Sequence, residues 1–344
     1  MTRGLVIGKF YPPHKGHHYL IDRAQAGCDE LMVLVLWAGQ ETIFHKDRVR
    51  WLKEVHPKAL VVSAQDEHPI DYSDEGWQKH INIISDVLMD WGHKPDMVFS
   101  SESYGDELAE RLSDAIGYTV IHNMVDEARS AYNISGTEMR KDIRAHWDML
   151  SAPARADLAY KVVVCGGEST GTTTLAKQLA EHYNTTCVPE YGRHFDWAVG
   201  KNHTWATADF KHIATQQVDW IKFFGRYSEN GILICDTDAY ATAMFHEIYL
   251  GHQEYDILDY AHMNHGPLYL ITDHEGVKFE DDGTRFNSGK RAWATSWFDE
   301  FLANPHVLVS GDRPTRLKTA INEIEANASD YLTFGEPIGE VVAK

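Results

Sequence analysis

Residues 8–17 read Gly8-Lys9-Phe10-Tyr11-Pro12-Pro13-His14-Lys15-Gly16-His17 and follow a short apolar run at residues 4–7. The apolar run predicts a buried first strand, and residues 17–26 have the spacing of a helix with one core-facing side. Ligands bind at the carboxyl ends of strands in open parallel sheets, and helix N-termini favour phosphate. His14 and His17 lie three positions apart at the start of this helix, so both can face the same side. With Lys9, they predict a site for the negative charge that develops on a polyphosphate.

A motif as short as H-x-G-H has many chance matches, and a rigid Pro12-Pro13 turn with surface histidines is the alternative interpretation. The position of the motif directly after an N-terminal strand, with Gly8 and Phe10 before it, favours function. The stretch resembles the signature of the nucleotidyltransferases that transfer an adenylyl group to a phosphate and release pyrophosphate.

The chain has 344 residues, a formal net charge of −19 and four cysteines without metal-ligand spacing. Its length is sufficient for two domains with separate cores. No apolar run reaches the ~18–20 residues of a membrane span, and the first strand begins too early to leave room for a signal peptide. The negative charge argues against DNA as a partner, because a phosphate backbone requires basic surface. We therefore expect a cytoplasmic protein without membrane insertion and without a DNA partner.

Histidines are numerous, at 20 in the chain, but most of them occur singly. His17-His18 and the His262/His265 pair are the arrangements closest to a metal site. Neither pair has a third ligand at a defined spacing, so neither is predicted to hold a metal.

Strands and helices alternate through the first half of the chain. Apolar runs at residues 31–37, 59–62, 97–99 and 119–122 are separated by helical stretches at residues 47–55, 76–91 and 104–115. This alternation predicts an α/β fold with a doubly wound parallel sheet.

A second motif, Ile134-Ser135-Gly136-Thr137-Glu138-Met139-Arg140, begins another predicted helix. Ser135 and Glu138 have the spacing of a capping box, and a plain helix cap is the alternative interpretation. Arg140 adds a fixed positive charge beside free N–H groups, which suits phosphates. Nucleotidyltransferases of this superfamily carry a similar I-S-x-T-x-x-R element, and finding both motifs in order is more specific than either alone.

Two weaker features belong to the same half. Ser101, in the polar run at residues 100–103, follows the predicted strand at residues 97–99 and is expected near the adenosine. Trp77 could stack on an aromatic base, although a lone Trp in a helical stretch is more often part of the core.

The second half opens after a proline-containing stretch at residues 151–155, which is predicted to be a linker. A strand at residues 161–165 leads into Gly166-Gly167-Glu168-Ser169-Thr170-Gly171-Thr172-Thr173-Thr174 and a helix at residues 175–183. Strand, glycine-rich loop and helix predict a phosphate-binding P-loop, with Thr173 at the Mg²⁺-ligating hydroxyl position. Thr172 stands where the P-loop lysine is expected. Lys177, Arg285 or Lys290 could supply the missing charge.

Further polar groups follow predicted strands or occupy loops of the second half. Asp236 and Asp238 come after a buried strand at residues 232–235, where an acid can hold Mg²⁺ or accept a proton from an attacking hydroxyl. Acids after strands are also common turn formers. A second set, Glu190, Tyr191 and Arg193, offers a wall for a small substrate. A charged loop with Asp282 and Arg285 has the composition of a lid.

Across nearly its whole length, the chain resembles the bifunctional NadR-type proteins, which join a nicotinamide-mononucleotide adenylyltransferase to a ribosylnicotinamide kinase. The resemblance implies a Rossmann-like nucleotidyltransferase domain at residues 1–152 and a P-loop kinase-like domain at residues 158–344. It implies MgATP as a substrate, an NAD product and no side-chain nucleophile. The Gly-Thr-Thr end of the P-loop departs from the usual Gly-Lys-Ser/Thr, and a helix-turn-helix segment found in some members is not seen.

The resemblance also assigns roles. In the adenylyltransferase, His14 and His17 would steady the α-phosphate, Lys9 and Arg140 would hold the other phosphates, and Trp77 would stack on the nicotinamide. Gly8, Phe10, Ser101, Ser135 and Thr137 would complete the ATP site. In the kinase, residues 166–174 would cradle the triphosphate, Asp236 or Asp238 would assist the ribose hydroxyl, and Arg285 would reach over the transferred phosphate.

Two alternatives remain open from the sequence. Thr172 allows a kinase-inactive second domain that only binds nucleotide or nucleoside, as a sensor or transport-coupled module. An adenylyltransferase with another acceptor, such as phosphopantetheine, is the second alternative, against which Trp77 speaks. The sequence does not fix the oligomeric state, and a homo-oligomer is compatible with it.

Overall fold

The computed structural model describes residues 1–280, 288–302 and 304–338, and the chain forms two compact units. One unit comprises Met1–Ala154 with residues 333–338, and the other comprises Arg155–Leu332. The division differs from the predicted domains 1–152 and 158–344 in one respect. Residues 333–338 group with the first unit, and we call this segment the strap.

The first unit contains a five-stranded parallel sheet in the order β3-β2-β1-β4-β5. The order reverses between β1 and β4, so the loops that follow these two strands diverge and leave a crevice. Its strands are β1 (Arg3–Gly8), β2 (Glu30–Trp37), β3 (Leu60–Gln65), β4 (Met97–Ser100) and β5 (Ile121–Met124). Its helices are α1 (Lys15–Gly27), α2 (His45–Val55), α3 (Asp74–Asp90), α4 (Gly105–Ile116) and α5 (Gly136–Lys141).

Both faces of this sheet are covered, as a doubly wound fold requires. Leu5 of β1 belongs to a core layer that includes Trp77 and Ile81 of α3. The next residue, Val6, belongs to the opposite layer with Ile21 of α1. Alternate residues of a strand point to opposite faces, so the continuous apolar run at residues 4–7 supplies both cores.

The second unit contains another five-stranded parallel sheet, in the order β10-β9-β6-β8-β7. Its strands are β6 (Tyr160–Gly166), β7 (Cys187–Val188), β8 (Ile232–Asp236), β9 (Leu268–Thr272) and β10 (His306–Val309). Its helices include α7 (Thr172–His182), α8 (Tyr191–Val199), α9 (Thr207–Gly225), α10 (Ala239–Leu250), α11 (Tyr255–Met263), α12 (Arg291–Phe301) and α13 (Arg313–Tyr331). The central strand β6 delivers the glycine-rich loop to the middle of the sheet edge.

The predicted linker at residues 151–155 is not an irregular segment. Helix α6 (Ala152–Leu158) covers most of it. Pro153 lies in the first turn of that helix, where a backbone N–H has no intrahelical partner and proline is tolerated. The prediction gave the proline too much weight as a chain breaker.

In the described ranges, none of the helices has both the length and the apolar character needed to cross a membrane.

Candidate active sites

Arg140 joins the two sequence motifs of the first unit. Its Nη1 donates a hydrogen bond to the carbonyl oxygen of Tyr11 at 3.0 Å, and its guanidinium carbon lies 5.5 Å from the centroid of the Tyr11 ring. Its Nη2 lies 3.4 Å from the hydroxyl of Thr137. The loop after β1 and the start of α5 therefore lie together, and the binding of phosphate by this cluster stays a prediction.

Ser135 forms the cap of α5. Its hydroxyl oxygen accepts a hydrogen bond from the backbone N–H of Glu138 at 3.1 Å, and the Glu138 carboxylate accepts one from the backbone N–H of Ser135 at 2.8 Å. This reciprocal arrangement is a capping box. The Ser135 side chain therefore fixes the helix that carries Arg140, and a direct contact of this hydroxyl with phosphate stays a prediction.

His14 and His17 lie together at the start of α1. Their ring centroids are 3.8 Å apart, and Nδ1 of His17 accepts a hydrogen bond from the backbone N–H of His14 at 3.3 Å. Burial lowers the pKa of His14 to about 4 and lowers the pKa of His17 well below its usual value, with His14 itself adding to the second effect. A neutral His17 that accepts at Nδ1 carries its proton at Nε2, from which it can donate to a phosphate oxygen.

A buried ion pair between Arg48 and Glu41 holds the backbone between β1 and α1. Nη1 of Arg48 donates to the carbonyl oxygen of Lys9 at 2.7 Å, while its Nη2 bonds the Glu41 carboxylate at 2.5 Å. The aromatic ring of Phe10 is buried, and its atoms would lie 3.3 Å from a Cβ built on Gly8. A larger residue at position 8 would press on that ring. No local sequence pattern indicates this role of Arg48, because its partner carbonyl lies 39 residues away.

Lys9, which the sequence predicts at a phosphate, is bonded here to the strap. Its ammonium donates a hydrogen bond to the carbonyl oxygen of Ile338 at 2.7 Å. Burial lowers the pKa of Lys9, an effect that Glu41 and Asp66 partly oppose. The strap thus reaches the predicted phosphate cradle.

Ser101 and Trp77 occupy different environments at the same edge. The Ser101 hydroxyl donates a hydrogen bond to the carbonyl oxygen of Val125. Trp77 is only 8% exposed and belongs to the core. The Arg111 guanidinium lies 5.7 Å from its ring centroid, and Tyr72 and Tyr104 meet it edge-on. The core interpretation of Trp77 therefore describes this structure, and its stacking on a nicotinamide ring stays a prediction.

The glycine-rich loop of the second unit has the close packing of a phosphate cradle. A Cβ at Gly166 would lie 2.2 Å from the hydroxyl of Thr272 and 2.6 Å from that of Thr170, so only glycine fits. The Thr170 hydroxyl donates to the carbonyl oxygen of Gly167 at 2.7 Å. Gly171 has φ +94°, a left-handed conformation that glycine adopts without strain, and α7 begins at the next residue.

Two arginines that the sequence did not single out donate hydrogen bonds to carbonyl oxygens of this loop. Arg291 donates to the carbonyl oxygen of Ser169 at 3.0 Å, and Arg316 donates to that of Thr170 at 2.7 Å. Arg316 also bonds the carbonyl oxygens of Gly311 and Asp273, at 2.7 and 2.9 Å. These hydrogen bonds fix the carbonyl oxygens of Ser169 and Thr170, and with them the shape of the loop.

A cavity of about 570 Å³ lies over the loop. All nine predicted P-loop residues line it, together with Glu190, Arg193 and Asp236. The lining does not include Tyr191, whose hydroxyl lies 3.1 Å from Nε2 of His212, or Asp238. Aromatic lining residues that sequence reasoning missed are Trp205, Phe210, Phe245 and Tyr249. They come from helices α9 and α10 or the loop before α9, where aromatic residues look like ordinary core.

Asp236 and Asp238 have different environments although they are near neighbours in sequence. Asp236 faces the cavity, where burial raises its pKa and a hydrogen bond with Thr173 partly offsets that effect. The Asp238 carboxylate caps α10 by accepting from the N–H of Tyr240 at 2.9 Å, and it also accepts from the Tyr269 hydroxyl at 2.6 Å. Burial raises the pKa of Asp238 to about 6 despite these bonds. The geometry favours Asp236 as the acid that meets substrate.

Glu190 is the third acid of this region. Burial raises its pKa to about 7, although the Arg193 guanidinium, 3.2 Å from its Oε2, acts in the opposite direction. A carboxyl with this pKa exchanges protons near neutral pH and can both donate and accept hydrogen bonds to a sugar hydroxyl.

The cations around the cavity differ from those offered as substitutes for the P-loop lysine. Lys278, Arg313 and Arg316 are lining residues, whereas Lys177 and Lys290 are not. Lys290 instead lies 5.5 Å from the ring centroid of Trp293. Arg285 and Asp282, the predicted lid residues, lie outside the described residues. Arg313 follows Gly311-Asp312 at the end of β10, a strand-end position that could have drawn attention in the sequence.

Metal-ligand geometry among the described residues occurs at a set that the sequence did not suggest, His246, His252 and Glu254. Nε2 of His246 lies 3.0 Å from the hydroxyl of Thr207, and its Nδ1 lies 3.1 Å from the carbonyl oxygen of His252. The Lys211 ammonium lies 2.9 Å from Glu254. Both ring nitrogens of His246 have hydrogen-bond partners, and the Lys211 ammonium already neutralises Glu254. The three residues therefore form a structural network.

Two α/β units, each with a phosphate cradle where a central parallel strand passes into a helix, define a two-domain nucleotide-binding protein. A family model described as "AAA domain" matches residues 161–316. The chain is 30% identical over 270 residues to the "Trifunctional NAD biosynthesis/regulator protein NadR" of Escherichia coli (strain K12), covering 73% of this chain and 64% of that protein. It is also 30% identical over 268 residues to the protein of the same name from Salmonella typhimurium (strain LT2), covering 73% and 63%.

The chain is therefore homologous to the NadR proteins, and it spans just under two thirds of the length of these curated relatives. Crystal structures described as NadR protein agree in fold. The one "in complex with NR" has a TM-score of 0.73 at 21% identity, covering 99% of this chain and 98% of that one. The one "in complex with NAD and AMP-PNP" has a TM-score of 0.70 at 21% identity, covering 95% and 96%.

Proposed function

We propose that this protein makes NAD in two steps. The second unit phosphorylates ribosylnicotinamide to nicotinamide mononucleotide, and the first unit, a Rossmann-like nucleotidyltransferase domain, adenylylates the mononucleotide. The observation that carries the proposal is the pair of phosphate cradles, one at His14, His17 and Arg140 and the other at residues 166–174. The homology to NadR, and the NR, NAD and AMP-PNP complexes of NadR structures, support the choice of substrates.

In the first unit, a phosphate oxygen of the mononucleotide attacks the α-phosphorus of ATP as the bond to the bridging oxygen breaks, and pyrophosphate leaves. The N–H groups of His14 and His17 stabilise the charge on the α-phosphate oxygens, and Arg140 holds the departing phosphates. Neutral imidazoles serve this purpose as hydrogen-bond donors, without an ionic bond that would bind the ground state equally well. Positioning and charge stabilisation are sufficient, because the substrate itself supplies the nucleophile.

In the second unit, the 5′-hydroxyl of the nucleoside attacks the γ-phosphorus of ATP as the bond from that phosphorus to the β,γ-bridging oxygen breaks, and ADP leaves. The hydroxyl proton passes to the carboxylate of Asp236. Glu190 and Arg193 orient the ribose. The hydroxyl of Thr173, beside Asp236, fits a hard cation such as Mg²⁺, which when bound neutralises phosphate charge. Thr172 supplies no cation in the place of the P-loop lysine. The backbone of the loop, which Arg291 and Arg316 hold in shape, binds the triphosphate instead.

A kinase-inactive second unit is the other candidate, and Thr172 is the observation that favours it. The two candidates differ in the product made from ribosylnicotinamide. Incubation of the protein with MgATP and either ribosylnicotinamide or nicotinamide mononucleotide, followed by chromatography, is the test. We expect NAD from both substrates.

The outcomes of this test are distinct. NAD from the mononucleotide alone would show that the second unit binds without transferring phosphate. If the protein adenylylated phosphopantetheine and not nicotinamide mononucleotide, phosphopantetheine would be the acceptor of the first unit. Absence of any product would overturn the proposal.

A further inference from the structure

The strap, residues 333–338, lies on three elements that surround the cradle of the first unit. Its Gly335 N–H donates to the hydroxyl of Thr42 at 3.1 Å, and the Gln40 side chain donates to the carbonyl oxygen of Glu336 at 3.0 Å. These partners follow β2. Its other contacts are to Lys9, after β1, and to Arg140, in α5. Four contacts at one edge of the sheet make this a docked segment.

Glu336 places a carboxylate on the guanidinium of Arg140. Its Oε2 accepts from Nη2 at 3.0 Å and from Nε at 3.2 Å. Carboxylates and phosphates use the same two-donor arrangement on arginine. Two residues further along, the carbonyl oxygen of Ile338 accepts from Lys9 at 2.7 Å. The strap therefore supplies oxygen acceptors to both cations that the proposed function gives to the ATP phosphates.

The docking position is coupled to the catalytic loop through Tyr11. The Tyr11 hydroxyl lies 2.9 Å from the hydroxyl of Thr42 and accepts a hydrogen bond from the N–H of Thr42 at 2.9 Å. Its ring lies between two guanidinium groups, 5.2 Å from that of Arg48 and 5.5 Å from that of Arg140. Departure of the strap would release Arg140 while Tyr11 and Arg48 keep the loop in place.

We propose that the strap is an autoinhibitory ligand of the adenylyltransferase site, in which the Glu336 carboxylate competes with a polyphosphate for Arg140 and the Ile338 carbonyl oxygen competes with it for Lys9. This inference rests on the proposed function of the first unit only for the identity of that polyphosphate. The Arg140 side chain is 7% exposed and that of Glu336 is 67% exposed, so the contact can open from the solvent side without unfolding. An ion pair with one exposed partner is weak, and a tetra-anion such as ATP is expected to displace it.

Steady-state kinetics of the full chain test the competition. We expect Glu336→Ala and the isosteric Glu336→Gln to lower the KM for ATP three- to tenfold with kcat unchanged or raised. Raising the ionic strength should reduce the difference in the KM for ATP between these variants and the wild type, since salt screens the Glu336–Arg140 ion pair. Glu110→Gln, an exposed glutamate of α4, is the matched control and should leave both constants unchanged. A raised KM or a lowered kcat in the Glu336 variants would overturn the proposal, because the strap would then assist the site. Unchanged constants would also overturn it.

Hydrogen exchange provides a reading that needs no turnover. In the wild-type protein, inorganic tripolyphosphate should speed exchange in the peptide that contains the Gly335 amide, because displacement of Glu336 frees that N–H from Thr42. In Glu336→Ala, the same peptide should exchange fast with or without tripolyphosphate. A response to tripolyphosphate in a protein that makes no NAD would retain the strap and reject the proposed function. Slow exchange in wild type that tripolyphosphate does not alter would reject the strap.

Discussion

Burial depresses the pKa of His14 and of His17, so in the proposed adenylyl transfer both would act as neutral rings. A neutral imidazole donates one hydrogen bond and adds little attraction for an anion in the ground state. The charge on the α-phosphate oxygens increases as the mononucleotide attacks, and the hydrogen bonds then strengthen. The histidines are thus suited to stabilise the transition state more than bound ATP, while Lys9 and Arg140 carry the positive charge.

We expect His17→Ala to lower kcat for NAD formation by a factor that corresponds to about 2–4 kcal/mol of transition-state stabilisation, with a small change in the KM for ATP. Initial rates at varied ATP measure both constants. His306→Ala, which removes a partly exposed imidazole from the second unit, is the control. An equal loss in kcat and in ATP affinity would assign His17 to binding alone.

His14 also predicts a pH dependence of folding. Its pKa is about 4 in the folded protein against about 6.5 for an unperturbed histidine, so between these pH values the unfolded chain binds more protons. Stability contributed by the neutral ring is complete above about pH 6.5 and is lost as the pH falls toward 4. The shift corresponds to about 3 kcal/mol. Urea unfolding at pH 7 and pH 4.5 should show a smaller pH-dependent loss for His14→Asn than for wild type. The same loss in both proteins would contradict the assignment.

Among elements, the strand–loop–helix of the second unit departs most from its usual form. Thr172 begins α7 directly after Gly171 and lines the cavity, so a longer side chain there would lie beside the proposed phosphate position. Arg291 and Arg316 each donate one hydrogen bond to a loop carbonyl oxygen and others to neighbouring carbonyl oxygens. They hold the shape of the cradle, and they leave room for an additional charge.

We expect Thr172→Lys to tighten MgATP binding or raise the kinase rate by up to about tenfold, because an ammonium would reach between the β- and γ-phosphates. Thr172→Met, of similar length and no charge, should do neither. Titration calorimetry and ribosylnicotinamide phosphorylation provide the two measurements. No difference between the lysine and methionine variants would show that Lys278, Arg313 or another cation already fills the role.

Elements with a local signal were predictable from the sequence. The apolar run at residues 4–7, the capping box of Ser135 and Glu138, and the glycines of residues 166–171 each depend on neighbours within a few positions. Asp236 and Asp238 could not be separated, because only the fold decides which carboxylate faces the cavity. The strap escaped notice since its contacts join residues as far apart as 9 and 338. Arg291 and Arg316 could not be predicted either, because their acceptors are backbone carbonyl oxygens, which have no sequence signature.

In the proposed function, the two units carry out successive chemical steps on one chain, and each step should be separable from the other. Asp236→Asn should lower the rate of ribosylnicotinamide phosphorylation by about 100-fold or more, because the proton acceptor is lost. It should leave NAD formation from the mononucleotide unchanged. Asp330→Asn, an exposed acid at the end of α13, is the control. Retained phosphorylation would assign the proton to another group, with Glu190 the next to test. Loss of both reactions would mean that the substitution acts on folding.

The strap has a consequence that a diffusing inhibitor would not have. A segment tied to its own site is present at an effective concentration set by the connecting chain, and dilution of the protein does not reduce it. The apparent affinity for ATP should therefore be the same at nanomolar and at micromolar protein. Every molecule would carry the same inhibitor, which would raise the ATP concentration needed for half-saturation of the first unit by one constant factor.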